Sequence, residues 1–209
     1  MSCTPVIHSY RQFFDAGFNP NANGGICSMA QCCRSLRRTA KIGDWIIGVV
    51  DEEMCPGVPS IVHMMEITGT CSLKEYDNMT KLDEQLWIKR PVHGIPQTTN
   101  GDCIYQWDSD GEAYLVRDRA QCATDLEVDR VLLSTNFVYY GKTFLPIPQN
   151  LQVLVPKKRR EYIQTPVSNI FLGWFNRALI ASPTVSTEPF HTMEPVGTVK
   201  RINVSHLLS

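Results

Sequence analysis

Apolar positions recur at steps of three and four from Ile26 onward, through Met29, Cys33, Leu36 and Ala40. That period is one face of an α-helix, and it predicts a helix over residues 26–41. At about 100° per residue, Arg34, Arg37, Arg38 and Lys41 fall together on a neighbouring face. Gly43 is placed to stop the helix. The preceding stretch, Asp15-Ala-Gly-Phe-Asn-Pro-Asn-Ala-Asn-Gly-Gly25, is too rich in glycine, asparagine and proline for helix or regular strand, so it reads as a shaped loop.

Beyond Gly43-Asp44 the pattern changes to short apolar runs. Trp45 to Val50 reads as a buried strand, residues 51–59 as a connecting loop, and Ile61 to Ile67 as a second strand. Ser72 and Glu75 form a capping box ahead of Leu73, Tyr76, Met79, Leu82 and Leu86, which predicts an amphipathic helix or two short ones. A long loop, 90–100, leads to Asp102–Trp107. The turn Asp108-Ser-Asp-Gly111 then sends the chain back through Ala113 to Val116 as a hairpin. Arg130 to Ser134 and Phe137 to Tyr140 are further strands, and Ile170 to Ile180 suits a terminal helix. Strand follows helix without repeating crossovers, so the expected class is α+β, with a small mixed or barrel-like sheet and flanking helices. Residues 1–150 form the expected domain. Residues 151–209 are read as its helical extension and a loosely packed tail.

Composition narrows the picture modestly. The chain has 209 residues, 43% of them hydrophobic and 20% charged, which suits a compact fold and excludes a disordered one. No apolar run approaches the roughly 18 residues of a membrane helix, and Met1-Ser-Cys-Thr-Pro lacks a signal-peptide layout. The expectation is a cytoplasmic protein with no membrane partner. Net charge is −1, yet eight of the 20 basic residues sit in segments 34–41 and 157–160, while residues 108–129 hold seven acids against two arginines. Near-neutrality is thus a balance of separated patches, compatible with a local anion site. The eight cysteines show no Cys-x-x-Cys pair, so they read as reduced thiols and no metal is expected.

Several of these segments carry a resemblance. Asp15-Ala-Gly-Phe-Asn-Pro-Asn21, Gly25-Ile-Cys-Ser-Met-Ala-Gln-Cys32, Arg37 and Gly43-Asp44-Trp-Ile-Ile-Gly48 resemble the nucleotide modification associated domain 2 family. Lys89-Arg-Pro91, Gly101-Asp-Cys-Ile-Tyr105 and Asp129-Arg-Val-Leu-Leu-Ser134 before Tyr140-Gly141 look similar too, in collinear order over roughly residues 7–148. That family is associated with phage and bacterial systems that make or handle modified nucleotides and DNA bases. The resemblance implies a nucleotide or nucleic-acid partner, with reaction and cofactor undefined. In the order of its elements the chain is also similar to PUA-like and EVE-like barrels, which hold modified bases in a pocket.

The residues suggest how such a ligand is met. Backbone N–H groups at a helix start behind Gly24-Gly25 make an anion site, which Arg34, Arg37 and Arg38 extend. Asn19 and Asn21 in the same loop are candidate ligand contacts. Cys27, in the expected first helical turn, is either an activated nucleophile or a small residue packing a tight start. Asp15 is a candidate base or ligand-orienting acceptor, and Asp44 a contact for Arg37 or a turn cap. Asp102 and Tyr105 are placed to reach a base edge by hydrogen bonding and stacking, or else start a hairpin. His63 reads as a hydrogen-bonded strand histidine. Asp108–Glu112 lacks the full spacing of a calcium loop. Three readings stay open: a binder of a nucleotide or modified base; an enzyme modifying one through Asp15 or Cys27; and a phage factor that sequesters a nucleotide signal or blocks a host protein.

Overall fold

A computed structural model describes residues 4–13, 17, 19–50, 57–91, 101–116, 125–157, 162–181 and 202–205. In chain order its elements are β1 (Val6–Arg11), β2 (Cys27–Met29), α1 (Arg34–Thr39), β3 (Trp45–Val50), β4 (Ser60–Glu66), β5 (Gly69–Cys71), α2 (Leu73–Leu82), β6 (Tyr105–Trp107), β7 (Ala113–Leu115), β8 (Val131–Ser134), β9 (Asn136–Tyr139), β10 (Leu145–Pro146), β11 (Tyr162–Pro166), α3 (Asn169–Ala181) and β12 (Ile202–Asn203). The class is α+β, and no closed barrel occurs among the described residues. Two compact units divide the chain. The first takes Met1–Asp15, Ala40–Thr68 and Ser134–His191; the second takes Ala16–Thr39, Gly69–Leu133 and Thr192–Ser209.

The first unit is built on a sheet in the order β10-β4-β3-β1-β11, with β9 also pairing β4. Strand β1 runs parallel to β3, and the neighbouring pairs are antiparallel. All six residues of β3 are buried, as its unbroken apolar run demands of a central strand covered on both faces. One face, carrying Ile7, Trp45, Ile47, Val49, Met64 and Val138, packs on Phe171, Trp174, Phe175 and Ala178 of α3. Those four helical positions recur at steps of three and one, so they line one stripe. Trp45 meets Phe171 and Phe175 edge-on, with centroids 5.1 Å and 4.5 Å away, contacts worth about 0.5–1.5 kcal/mol each beyond burial. On the opposite face Tyr10, Gly48, His63 and Tyr139 form one lateral row across four strands.

The second unit holds two three-stranded sheets, β12-β7-β6 and β2-β8-β5. Helix α2 starts as expected: the Ser72 hydroxyl accepts from the Glu75 N–H at 3.1 Å, and the Glu75 carboxylate accepts from the Ser72 N–H at 2.7 Å. Its Leu73 and Tyr76 join Ile104, Tyr105, Leu115, Val131 and Val204 in one core. The hairpin β6–β7 also forms as expected.

The helix expected over 26–41 does not form as one element. Residues 27–31 are buried without a break, and β2 pairs with β8 on one side, while Ser28 bridges to Asn21 on the other. Backbone bonds on both edges satisfy this stretch as a strand and outcompete an isolated helical start. Cys32 and Cys33 then take left-handed φ values of 49° and 40°, and α1 is confined to six residues. The basic run 158–160 and residues 182–201 lie outside the described residues.

Candidate functional site

The loop entering β2 is held by its own backbone. Asn21 and Ser28 exchange N–H···O bonds of 2.9 Å in both directions. The Asn21 side-chain oxygen accepts the Asn23 N–H at 3.0 Å, closing an Asx turn into the single 3-10 turn Asn23–Gly25. Gly24 sits there at φ +72°, and a Cβ would fall 2.6 Å from the Gln85 carbonyl oxygen. Only glycine fits both the conformation and that approach. Gly25, also left-handed at φ +75°, faces open space.

Beneath this loop lies a charged network with almost no solvent exposure. Asn21, Ser28, Lys89 and Asp102 are each 0% exposed and Tyr76 is 1% exposed. Lys89 uses all three ammonium protons: on the Asn21 carbonyl oxygen at 3.0 Å, the Asn21 Oδ1 at 3.0 Å and the Ser28 Oγ at 2.9 Å. Ser28 Oγ donates to Asp102 Oδ2 at 2.6 Å, and the Tyr76 hydroxyl donates to Asp102 Oδ1 at 2.8 Å. Both charges are therefore buried and fully hydrogen-bonded, as such groups must be. Burial pulls the Lys89 ammonium below its ordinary pKa, with Asp102 acting in the opposite sense. Burial pushes Asp102 above the usual carboxylate range, against the pull of Lys89 and the bonds from Ser28 and Tyr76. Burial, reinforced by the Asp102 charge, raises Tyr76 well above the ordinary phenol value.

A second network adjoins it in sequence. Arg90 Nη1 meets Asp77 Oδ1 at 2.5 Å, Arg90 Nη2 meets Gln106 Oε1 at 2.6 Å, and Asp77 Oδ2 takes Lys81 Nζ at 2.6 Å and the Trp107 N–H at 3.0 Å. The pair Lys89-Arg90 thus anchors two separate clusters.

The structure sorts the other sequence candidates. Asn21 and Asp102 enter the Lys89 network, and Gly24 and Gly25 shape the loop above it. Cys27, expected at a helix start, lies instead inside β2 with no exposure, so no helix dipole acts on its thiol. The helix start on which the anion site was expected does not form, because Gly24-Gly25 leads into a strand. Arg37 is 0% exposed; its guanidinium donates to the carbonyl oxygens of Arg130 at 2.7 Å, Asp125 at 3.2 Å and Val128, and faces the Asp125 carboxylate at 3.9 Å. Burial lowers its pKa. That arginine fastens chain segments together and leaves no hydrogen-bonding face for a phosphate. Tyr105 joins the same region, its hydroxyl 3.3 Å from Asp125 Oδ2. Arg34 and Arg38 are exposed, and Arg34 pairs with Glu127. Asn19 donates to the Cys33 sulfur at 3.8 Å, while its Oδ1 is buried and meets no partner.

Asp44 caps a turn in the first unit. It accepts the N–H groups of Val6 at 2.9 Å and Lys41 at 2.8 Å, and His8 Nε2 lies 3.0 Å away. Burial alone raises its pKa, but these bonds outweigh it and hold the carboxyl below its ordinary value. Arg37 therefore pairs with Asp125 rather than with Asp44. Asp15 lies outside the described residues. Among the described residues no group of three or more His, Cys, Asp and Glu side chains is set to hold a metal ion, and no helix is long and apolar enough to cross a membrane.

Sequence reasoning missed Ser28, Tyr76 and Lys89 as a unit. Tyr76 was visible only as an apolar helix position. The available signal was a lysine beside Leu86 and Ile88 in a stretch otherwise suited to burial, because a buried lysine needs acceptors from elsewhere in the chain.

The model of the nucleotide modification associated domain 2 family matches residues 4–194, and the chain belongs to that family. No curated protein and no solved structure matches it.

Proposed function

From membership in that family, we propose that the chain binds a nucleotide or modified nucleic-acid base through the 19–25 loop, with phosphate contacts from the exposed face of α1. The observation that carries the reading is the network itself. Asn21, Ser28, Lys89 and Asp102 come from four separate family-like segments, and they converge under one loop. A rigid loop presenting polar groups is what selective recognition of a heterocycle requires. Asn19 offers a carboxamide whose oxygen has no partner among the described residues, and such a group suits a base-edge donor. Arg38, one helical turn from Arg34, is exposed, and among the described residues its guanidinium meets no side-chain partner, so it can take a phosphate.

The test is calorimetric titration of the full chain with deoxynucleotides and with short single-stranded DNA at low salt. Arg38→Ala is expected to weaken binding several-fold, with the loss shrinking as salt rises. Asn19→Ala is expected to change base preference more than total affinity. Absence of binding by every nucleotide and strand at low salt overturns the reading.

One observation favours an enzymatic version. Ser28 Oγ accepts from Lys89 Nζ at 2.9 Å and donates to Asp102 Oδ2 at 2.6 Å, an arrangement in which the carboxylate can take the hydroxyl proton while the ammonium steadies the oxygen. Cys27 lies within electrostatic reach of the same lysine. Ser28 has no exposure, which places binding first. Mass spectrometry of a bound nucleotide before and after incubation, repeated with Cys27→Ala, Ser28→Ala and Asp15→Asn, separates the two readings.

A further inference from the structure

His63 is not the hydrogen-bonded strand histidine that its sequence setting suggests. It is 0% exposed, and among the described residues neither ring nitrogen has a hydrogen-bond partner. Gln12, 3% exposed, shows the same feature at its amide nitrogen. The two side chains lean over one glycine. A Cβ built on Gly48 would lie 2.1 Å from Gln12 Oε1, 2.4 Å from His63 Cε1 and 2.5 Å from His63 Nδ1. Gly48 thus provides the depression in the sheet face that lets both groups lie flat against β3. Gln12 continues the β1–β3 pairing through its N–H to the Val49 carbonyl at 2.8 Å, so its backbone is fixed. The Tyr10 hydroxyl donates to Gln12 Oε1 at 3.3 Å, which orients the amide and turns its nitrogen away from that bond.

The surroundings define the chemistry. In the lateral row Tyr10-Gly48-His63-Tyr139, aromatic residues stand on both sides of the histidine, and the Tyr10 ring is tilted 54° to His63 at 5.8 Å. Burial lowers the His63 pKa to about 3, so the ring is neutral and offers one donor and one acceptor. The next row on that face, His8-Ile46-Met65-Phe137, puts its one polar group, His8, against Asp44 and Gln164. The unused capacity is therefore an amide donor, an imidazole donor and an imidazole acceptor between aromatic walls, with no net charge. That pattern complements the adjacent carbonyl and N–H of a lactam, and it does not suit an anion or a cation.

We propose that His63, Gln12 and Gly48, flanked by Tyr10 and Tyr139, form a binding site in the first unit for a neutral planar heterocycle with a lactam edge, that is, an oxo-bearing nucleobase or a close analogue. All these residues belong to the first unit, so the inference goes beyond the reading given for the 19–25 loop and does not depend on it.

The test uses the full chain labelled with ¹⁵N at histidine, titrated separately with free uracil, thymine, hypoxanthine and, as a heterocycle without a lactam edge, adenine. The expected result is a shift of the His63 ring nitrogens with at least one oxo base and none with adenine. Gln12→Met and His63→Phe replace polar ends with apolar groups of similar bulk. Each is expected to weaken that base about tenfold for each hydrogen bond lost. The melting temperature of the ligand-free Gln12→Met chain is expected to change little, because the substitution removes a buried amide nitrogen that has no partner and gives up only the 3.3 Å bond from the Tyr10 hydroxyl. A His63 ring that contacts water only, oxo bases that leave the His63 nitrogens unmoved, or equal affinity in both variants overturns the proposal. Loss of nucleotide binding in Arg38→Ala with the His63 response intact would separate the two sites.

Discussion

Lys89→Met tests whether the buried network is what holds the loop. The substitution keeps a flexible chain of similar reach and deletes the ammonium. It removes three hydrogen bonds of 2.9–3.0 Å at once and leaves Asp102, 0% exposed, without its counter-charge. Lys89 and Asp102 form no direct ion pair and are bridged by Ser28. The cost of breaking a buried ion pair from one side, about 3–5 kcal/mol where the remaining charge stays desolvated, is therefore an upper bound here. Domains are stable by only about 5–15 kcal/mol, so the variant should fold with a clearly lower denaturation midpoint. The partners qualify the expected value. Asp102 keeps the Ser28 and Tyr76 hydrogen bonds at 2.6 Å and 2.8 Å, which places the loss toward the lower end of that range.

The assay is urea denaturation of the wild type, Lys89→Met, Asp102→Asn and the double variant. Asp102→Asn also leaves a buried charge, this time the lysine. The double variant removes both charges, so its loss should be smaller than the sum of the singles by at least about 1 kcal/mol. A Lys89→Met loss below about 1 kcal/mol, or strict additivity in the cycle, refutes the argument. Either would mean that the two charges are not energetically linked through Ser28.

Two further perturbations follow from the first unit. His63 has a folded pKa of about 3 against an ordinary 6.5, so the unfolded chain binds more protons below pH 6.5 and stability must fall on acidification. Between pH 6.5 and 4.5 this contributes a loss of about 2–3 kcal/mol, which His63→Phe should abolish; an unchanged pH slope in that variant contradicts the assignment. Gly48→Ala would push a methyl into Gln12 and His63, at 2.1 Å and 2.4 Å, and should cost about 1–3 kcal/mol by overpacking, measured as a shift in the urea midpoint; a neutral result would mean that both side chains move aside freely.

Legibility from sequence followed burial on one face against burial all round. Helix α2 was readable because Ser72 and Glu75 announce its start and Leu73 and Tyr76 mark one buried stripe. Strand β3 was readable because six buried apolar residues in a row leave few alternatives. Strand β1 was not, since Ile7, His8, Ser9 and Tyr10 are all buried, so both faces carry polar groups and no alternation survives. The stretch 26–41 misled for a related reason. Its apolar spacing fits a helix, but the bonds that make it a strand come from β8, far along the chain, and from Asn21, across the turn that precedes it, and the apolar period encodes neither. The candidate site shows the same division. Asn21 and Asp102 were visible as polar residues in turn-rich settings, whereas Lys89 acquires its meaning only from acceptors 61 and 68 positions away.

The two polar clusters differ in a way that bears on what each does. In the second unit the ammonium of Lys89 has all three protons matched and both Asp102 oxygens are engaged. A network so complete has no capacity left for a ligand without first breaking a buried bond, so its part is to position what lies above it. In the first unit His63 and Gln12 are as deeply buried, yet three hydrogen-bonding atoms go unmatched. Folding gains nothing from an unmatched buried polar atom, and an apolar side chain of the same bulk would be at least as stable there. Replacing polar groups by apolar isosteres should therefore destabilise the Lys89 network far more than the His63 recess, where only the 3.3 Å bond from the Tyr10 hydroxyl to Gln12 is given up. Thermal melts of Lys89→Met and Gln12→Met side by side test this contrast, and a fall of similar size in both would show that the two clusters serve the fold in the same way.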